Sequence, residues 1–264
     1  MQPVLVTIPI SHYCEKARWG LDRAALPYCE EPHAPLLHRL ATKRNERGTV
    51  PVLVHEGQRL CDSTAILKHA DAACGGNLLY PRDVELRREV EALEERFDTE
   101  LGPNTRRWAY EQVLPQTKLI RSLWMRDVPP LEARVIPMIT PIVRRLVRMG
   151  YKITPESARR SLDRVRGVFR QVDEPINDGR RFLVGDCFTA ADLTLAALAA
   201  PVLLPPECRA VQPALEDLPA NLREEILRFR ETSAGRFALR MFSQERRSPP
   251  AQSHRRETPC PSFA

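Results

Sequence analysis

The sequence predicts two domains, a small α/β domain over residues 1–76 and an all-helical domain over residues 84–243. Three observations carry that division. Between Val4 and Ala70, short apolar runs alternate with amphipathic stretches in a βαβ…ββα order. Residues 77–83, entered through Gly75-Gly76, form a linker. From Val84 onward the apolar residues recur with helical spacing.

Length and composition narrow the class. A chain of 264 residues has room for one large core or two moderate ones. The longest apolar run, Leu193 to Leu204, is broken by Pro201 and falls short of the roughly 18 residues a membrane span needs. No charged segment precedes the first apolar run, so a secretory signal is not expected and the predicted location is cytoplasmic. Seven cysteines lack metal-ligand spacing, and their odd number argues against a disulfide framework, so no metal is expected. The net charge of +6 arises from 40 basic residues, nearly all arginine, a skew that does not by itself indicate nucleic-acid binding.

In chain order, residues 4–10 read as the first strand, with Ser11 at the N-cap position of a helix over residues 12–25. Cys14, Ala17, Leu21 and Ala25 share one face of that helix, and Pro27 stops it. Residues 28–31 read as a second strand and 35–44 as a basic helix. Strands at 51–54 and 58–61 meet at a turn around Gly57. A helix from Ser63 to about Cys74 ends at Gly75-Gly76. In the second domain, residues 85–101 are amphipathic. The apolar segments 108–124 and 131–150 are interrupted by Pro115, Pro137 and Pro141, and helical spacing returns over 155–172. Thr189 and Asp192 form a capping box, with Phe188 and Leu193 as its hydrophobic staple. Residues 244–264, rich in Ser, Pro, Arg and Gln, are expected to be a disordered tail.

Four segments carry a resemblance. They are Ser-x-x-Cys-x-Lys-x-Arg at 11–18, Gly-Thr-Val-Pro-Val-Leu at 48–53, Cys-Asp-Ser-Thr-Ala-Ile at 61–66, and Phe-Leu-Val-Gly-Asp-Cys-Phe-Thr-Ala-Ala-Asp-Leu at 182–193. The first three, in this order and spacing, resemble the thioredoxin-like domain of the glutathione transferase superfamily. The fourth resembles the folding motif of its helical domain. The chain looks like a serine-type, bacterial-looking member, with Asp62 where the family usually has Glu. The resemblance implies a detoxification-type transferase with glutathione as co-substrate, a small electrophile as second substrate, and a homodimer.

Glutathione carries a thiol, two carboxylates and an amine, and each needs a partner. Its thiol has an unperturbed pKa of roughly 8.5, which a helix N-terminus and a hydroxyl donor would lower. Ser11 stands in the family's catalytic position for that hydrogen bond, although a serine there also serves as a plain N-cap. Cys14 occupies the second place of a C-x-x-C whose first place is serine. It reads as a packed thiol or, alternatively, as the nucleophile of a glutathione-dependent thiol-disulfide reductase. His12 reads as a solvent-facing residue of the first helical turn. Val50-Pro51 resembles the family's cis-proline turn, which implies backbone pairing between Val50 and the cysteinyl unit. Asp62 and Ser63 would hold the γ-glutamyl end, or simply cap a helix. For the glycine carboxylate, His38, Arg39, Lys43 and Thr49 remain open. A non-enzymatic interaction module on the same fold is the third reading.

Between Thr117 and Arg170 the chain has 13 basic and four acidic residues. Arg144, Arg145 and Arg148 are expected either as ordinary surface or as part of a basic lobe. Such a lobe would favour anionic electrophiles or weak peripheral contact of segment 117–170 with an anionic membrane.

Overall fold

The computed structural model describes residues 2–42, 48–246 and the backbone of 254–255. Its first domain is built on a mixed sheet. Strand β1 (Val4–Thr7) is central, pairing in parallel with β2 (Cys29–Pro32) and antiparallel with β3 (Val52–His55), which pairs antiparallel with β4 (Gln58–Leu60). All four residues of β1 are buried, as a strand covered on both faces must be. Helix α1 (His12–Arg23) follows β1, a four-residue α2 (His38–Ala41) follows β2, and α3 (Ser63–Ala73) follows β4. The predicted helix over 35–44 is therefore shorter than expected among the described residues. Lys43, a candidate ligand, lies outside them.

Among the described residues, eight α-helices make the second domain: α4 (Val84–Arg96), α5 (Gly102–Val113), α6 (Thr117–Met125), α7 (Pro130–Gly150), α8 (Pro155–Ile176), α9 (Ala190–Leu203), α10 (Ala220–Glu231) and α11 (Ser233–Glu245). The apolar run that is too short to span a bilayer is α9, buried along almost its whole length at the centre of this domain. Among the described residues no helix is long and apolar enough to cross a membrane. Asp192 closes the start of α9 by accepting from the Thr189 backbone N–H and, from further back, the Leu183 N–H, both at 2.8 Å.

Two stretches run more continuously than expected. Residues 85–101 and 108–124 read as separate segments, yet a π-turn at Phe97–Leu101 carries α4 directly into α5. Helix α7 passes through Pro137 and Pro141. Pro141 lacks the N–H that would reach the Pro137 carbonyl, and Arg121 from α6 donates to that carbonyl instead, at 2.9 Å.

The tail prediction needs correction at its start. Helix α11 extends through Glu245, and the Arg246 side chain is buried in a cluster of ion pairs. It donates to Glu15 at 2.7 Å and to Asp22 at 2.8 Å. These charges hold the end of the helical domain against α1, so the polarity of the segment reflects a buried network there rather than solvent. Residues His254–Arg255 add a short strand, β5, parallel to β2. The rest of the tail lies outside the described residues.

The domains meet along α1, which packs on α3 within its own domain and on α9 across the boundary. Trp19 crosses that boundary, its ring 4.7 Å from Phe242 and 5.8 Å from Phe188 between centroids. A polar network parallels this seam. Buried Lys16 reaches Asp98 at 2.6 Å, Glu94 at 2.9 Å and the Thr64 hydroxyl at 2.9 Å. The starts of α1 and α3 are thereby tied to the helical domain.

Candidate active site

A cleft of about 440 Å³ lies where the two domains meet. One wall comes from four stretches of the first domain: Ile8 to Tyr13, Pro35 to Arg39, Gly48 to Pro51, and Cys61 to Ser63. The opposite wall comes from α5, the end of α7 and Pro201 of α9. Ser11, Val50, Asp62 and Ser63 all line it, although up to 52 positions separate them in the sequence.

Ser11 is the N-cap of α1, and its oxygen accepts from the Cys14 backbone N–H at 3.3 Å. Its hydroxyl also lies within hydrogen-bonding reach of the Cys14 thiol, and it lines the cleft. The Val50–Pro51 peptide is cis. Asp62 caps α3 by accepting from Thr64 and Ala65, and its side chain is exposed. Ser63 follows it, with its hydroxyl unpartnered among the described residues.

Cys14 is placed differently. It is fully buried, does not line the cleft, and burial pushes its thiol up against the opposing influence of Arg18 and Ser11. That is the environment of a packed thiol.

The expectation of a solvent-facing His12 fails. The ring is 4% exposed, and Nε2 lies 3.0 Å from the Gly102 carbonyl. A carbonyl only accepts, so Nε2 carries the proton and His12 ties the first turn of α1 to the start of α5. Burial, then the nearby Arg106 charge, lowers its pKa to about 3, which keeps the imidazole neutral. Tyr13 closes the same corner by donating to the Asp98 carbonyl at 2.8 Å. A Cβ at Gly102 would stand 2.7 Å from Cζ of Tyr13, so only glycine allows this approach.

Of the candidates for a glycine carboxylate, His38 is the least suited. Burial lowers its pKa to about 4, and its Nε2 faces the Gly48 carbonyl at 3.3 Å, which makes Nδ1 an acceptor. Arg39 and Thr49 are exposed and line the cleft. Arg144, Arg145 and Arg148 do not line it. Arg144 donates to Thr117 at 2.9 Å, while the other two face outward. On the helical wall of the cleft stands the cation Arg106 of α5, which sequence reasoning missed along with Tyr110 and Tyr151. The i, i+4 spacing of Arg106 and Tyr110 could have placed them on one face, had α5 been read as continuous through residue 106.

Residues 5–77 match the family model for the glutathione S-transferase N-terminal domain. The chain has the glutathione transferase fold. Among solved structures it is similar to poplar glutathione transferase F1, at 16% identity and TM-score 0.55, covering 92% of this chain and 99% of that one. It is also similar to a glutathione S-transferase from Rhodospirillum rubrum F11, at 20% identity and TM-score 0.57, with 92% and 99% covered. The beta-etherase LigF from Sphingobium sp. strain SYK-6 matches at 19% identity and TM-score 0.58, with 91% and 99% covered. No curated protein sequence matched the chain.

Proposed function

We propose that the protein is a glutathione transferase of the serine type. The observation that supports this best is the convergence of Ser11, Val50, Asp62 and Ser63 on one cleft whose other wall belongs to the helical domain. Asp62 would pair with the γ-glutamyl ammonium, and Ser63 with the N–H groups of the α3 start would meet its carboxylate. Val50 would offer its backbone to the cysteinyl unit, and Arg39 or Thr49 would take the glycine carboxylate.

The thiol would then lie at the start of α1. A hydrogen bond donated by the Ser11 hydroxyl, turned from Cys14 toward the ligand, and the helix N-terminus would both favour the thiolate over the thiol. Lowering the pKa by two takes about 2.7 kcal/mol of differential stabilisation, a size that one charged hydrogen bond and a helix terminus supply together. The thiolate electron pair forms the new carbon–sulfur bond, and the leaving group departs from the electrophile with its own bonding pair.

The reductase alternative needs Cys14 as a thiolate that can reach glutathione, and its burial opposes both requirements. An interaction module remains the outcome if glutathione binds without turnover. Calorimetric titration with glutathione, followed by assays with an aryl halide and a mixed disulfide, tests the proposal. Binding with aryl halide turnover is expected. No binding, or turnover of the disulfide alone, would contradict it. A cytoplasmic detoxifying role and a twofold homodimer belong to the same reading. The assembly draws support from an outward apolar stripe on α7, in which Leu131, Met138, Ile142 and Met149 are each more than 60% exposed.

A further inference from the structure

The helical wall of the cleft contains a cation without an acid. The guanidinium carbon of Arg106 stands 4.0 Å over the Tyr151 ring and 5.7 Å from the Tyr13 ring. Its Nε is buried without a hydrogen-bond partner, and no carboxylate among the described residues pairs with it. Buried arginines elsewhere in the chain are matched, Arg18 by Glu30 and Arg246 by Glu15 and Asp22. Asp62, the acid among the described cleft-lining residues, already accepts from two backbone N–H groups. A partly desolvated guanidinium left unpaired is costly unless an anion meets it from outside the chain.

The surroundings of Arg106 add a shape. Tyr110, one turn further along α5, stacks on Tyr151 with centroids 5.9 Å apart and planes 24° apart, making a flat aromatic shelf. Beside it an apolar annex of about 70 Å³, reaching Leu123 and Leu218, shares Val113 and Pro201 with the main cleft. We propose that the acceptor subsite takes a planar aromatic electrophile bearing a carboxylate or similar anion. The anion meets Arg106, the ring lies on the tyrosine shelf, and any apolar remainder extends into the annex. An arginine fork held by aromatic faces presents its N–H edge to a planar anion, which a lysine would do less specifically. This assignment names the second substrate of the transferase reading and rests on it.

The experiment titrates 4-nitrobenzoate and its neutral isostere 4-nitrobenzamide into the full chain without glutathione, in the parent protein and in Arg106→Gln and Arg106→Lys. The carboxylate probe is expected to bind about tenfold tighter in the parent, as a charged hydrogen bond allows. Arg106→Gln should abolish the preference and Arg106→Lys should keep part of it. Equal affinities in the parent, absence of binding by either probe at millimolar concentration, or a preference that survives in Arg106→Gln would each overturn the proposal. The parent comparison needs no variant to fold. Glutathione is absent from all these titrations, so a failure of the transferase reading would show in the glutathione titration and not here.

Discussion

His33, just past β2, and Glu132, in the first turn of α7, form a bond of 2.6 Å across the domain boundary, with the other Glu132 oxygen accepting from the Ala34 N–H at 2.6 Å. His33 also faces Glu31 at 3.0 Å. Burial alone would lower the His33 pKa, but hydrogen bonds to Glu132 and Glu31 outweigh it and raise the value to about 9. The folded value lies above the unfolded value of about 6.5. The contact therefore stabilises fully below about pH 6.5 and is lost as pH rises through about 9. We expect chemical denaturation to show stability falling across that window, and Glu132→Gln to flatten the fall while costing about 2 kcal/mol at neutral pH. A pH dependence identical in the variant would refute the role of this pair.

Arg246 directly follows the end of α11. It joins Arg18 and Arg209 in a buried cluster with Glu15, Asp22 and Glu30, three cations against three anions. Removing one cation leaves a buried carboxylate uncompensated, which typically costs about 3–5 kcal/mol. Arg246→Ala is expected to lower the denaturation midpoint by a matching amount. A midpoint within error of the parent would show that the cluster is not coupled to folding.

Asp62 and Ser63 can be separated by two measurements. Ser63→Ala should weaken glutathione binding by about 1 kcal/mol with little change in stability, because its hydroxyl has no partner among the described residues. Asp62→Ala should weaken binding and also lower the melting temperature, since it removes an N-cap worth roughly 0.5–2 kcal/mol. Lower melting with unchanged affinity in both variants would leave capping as their only task.

Where local chemistry dictated the outcome, the sequence was a sufficient guide. The cap at Ser11, the box at Thr189 and Asp192, and the order of strands and helices around β1 each depend on residues close in the chain. Three of the four stretches that make the first-domain wall of the candidate site are short motifs that could be read for the same reason. The opposite wall could not, because distant groups compensate local breaks there. Pro141 predicts an interrupted helix until Arg121 is found donating to Pro137, and residues 85–101 read as a segment of their own until the π-turn at their end is seen to lead into α5. His12 looked like a surface residue because its partner, the Gly102 carbonyl, lies 90 positions away.

The apolar stripe on α7 should be covered in solution. For a homodimer, sedimentation at micromolar concentration is expected to give twice the chain mass, and Met138→Glu with Ile142→Glu should return it to one chain. A parent protein that sediments as one chain would contradict the dimer. In that case, pelleting with anionic but not neutral vesicles would identify a membrane surface as the partner, with an effect that salt weakens.

The central claim is that Ser11 stabilises a glutathione thiolate at the start of α1. It is tested most directly by titrating the thiolate absorbance of bound glutathione against pH in the parent and in Ser11→Ala. The parent should ionise about two pH units below the free value of roughly 8.5. In Ser11→Ala the value should climb back toward it, with turnover falling roughly 10- to 1000-fold and glutathione affinity nearly unchanged. A thiol pKa and rate that are the same in both proteins would make Ser11 a helix cap and nothing more.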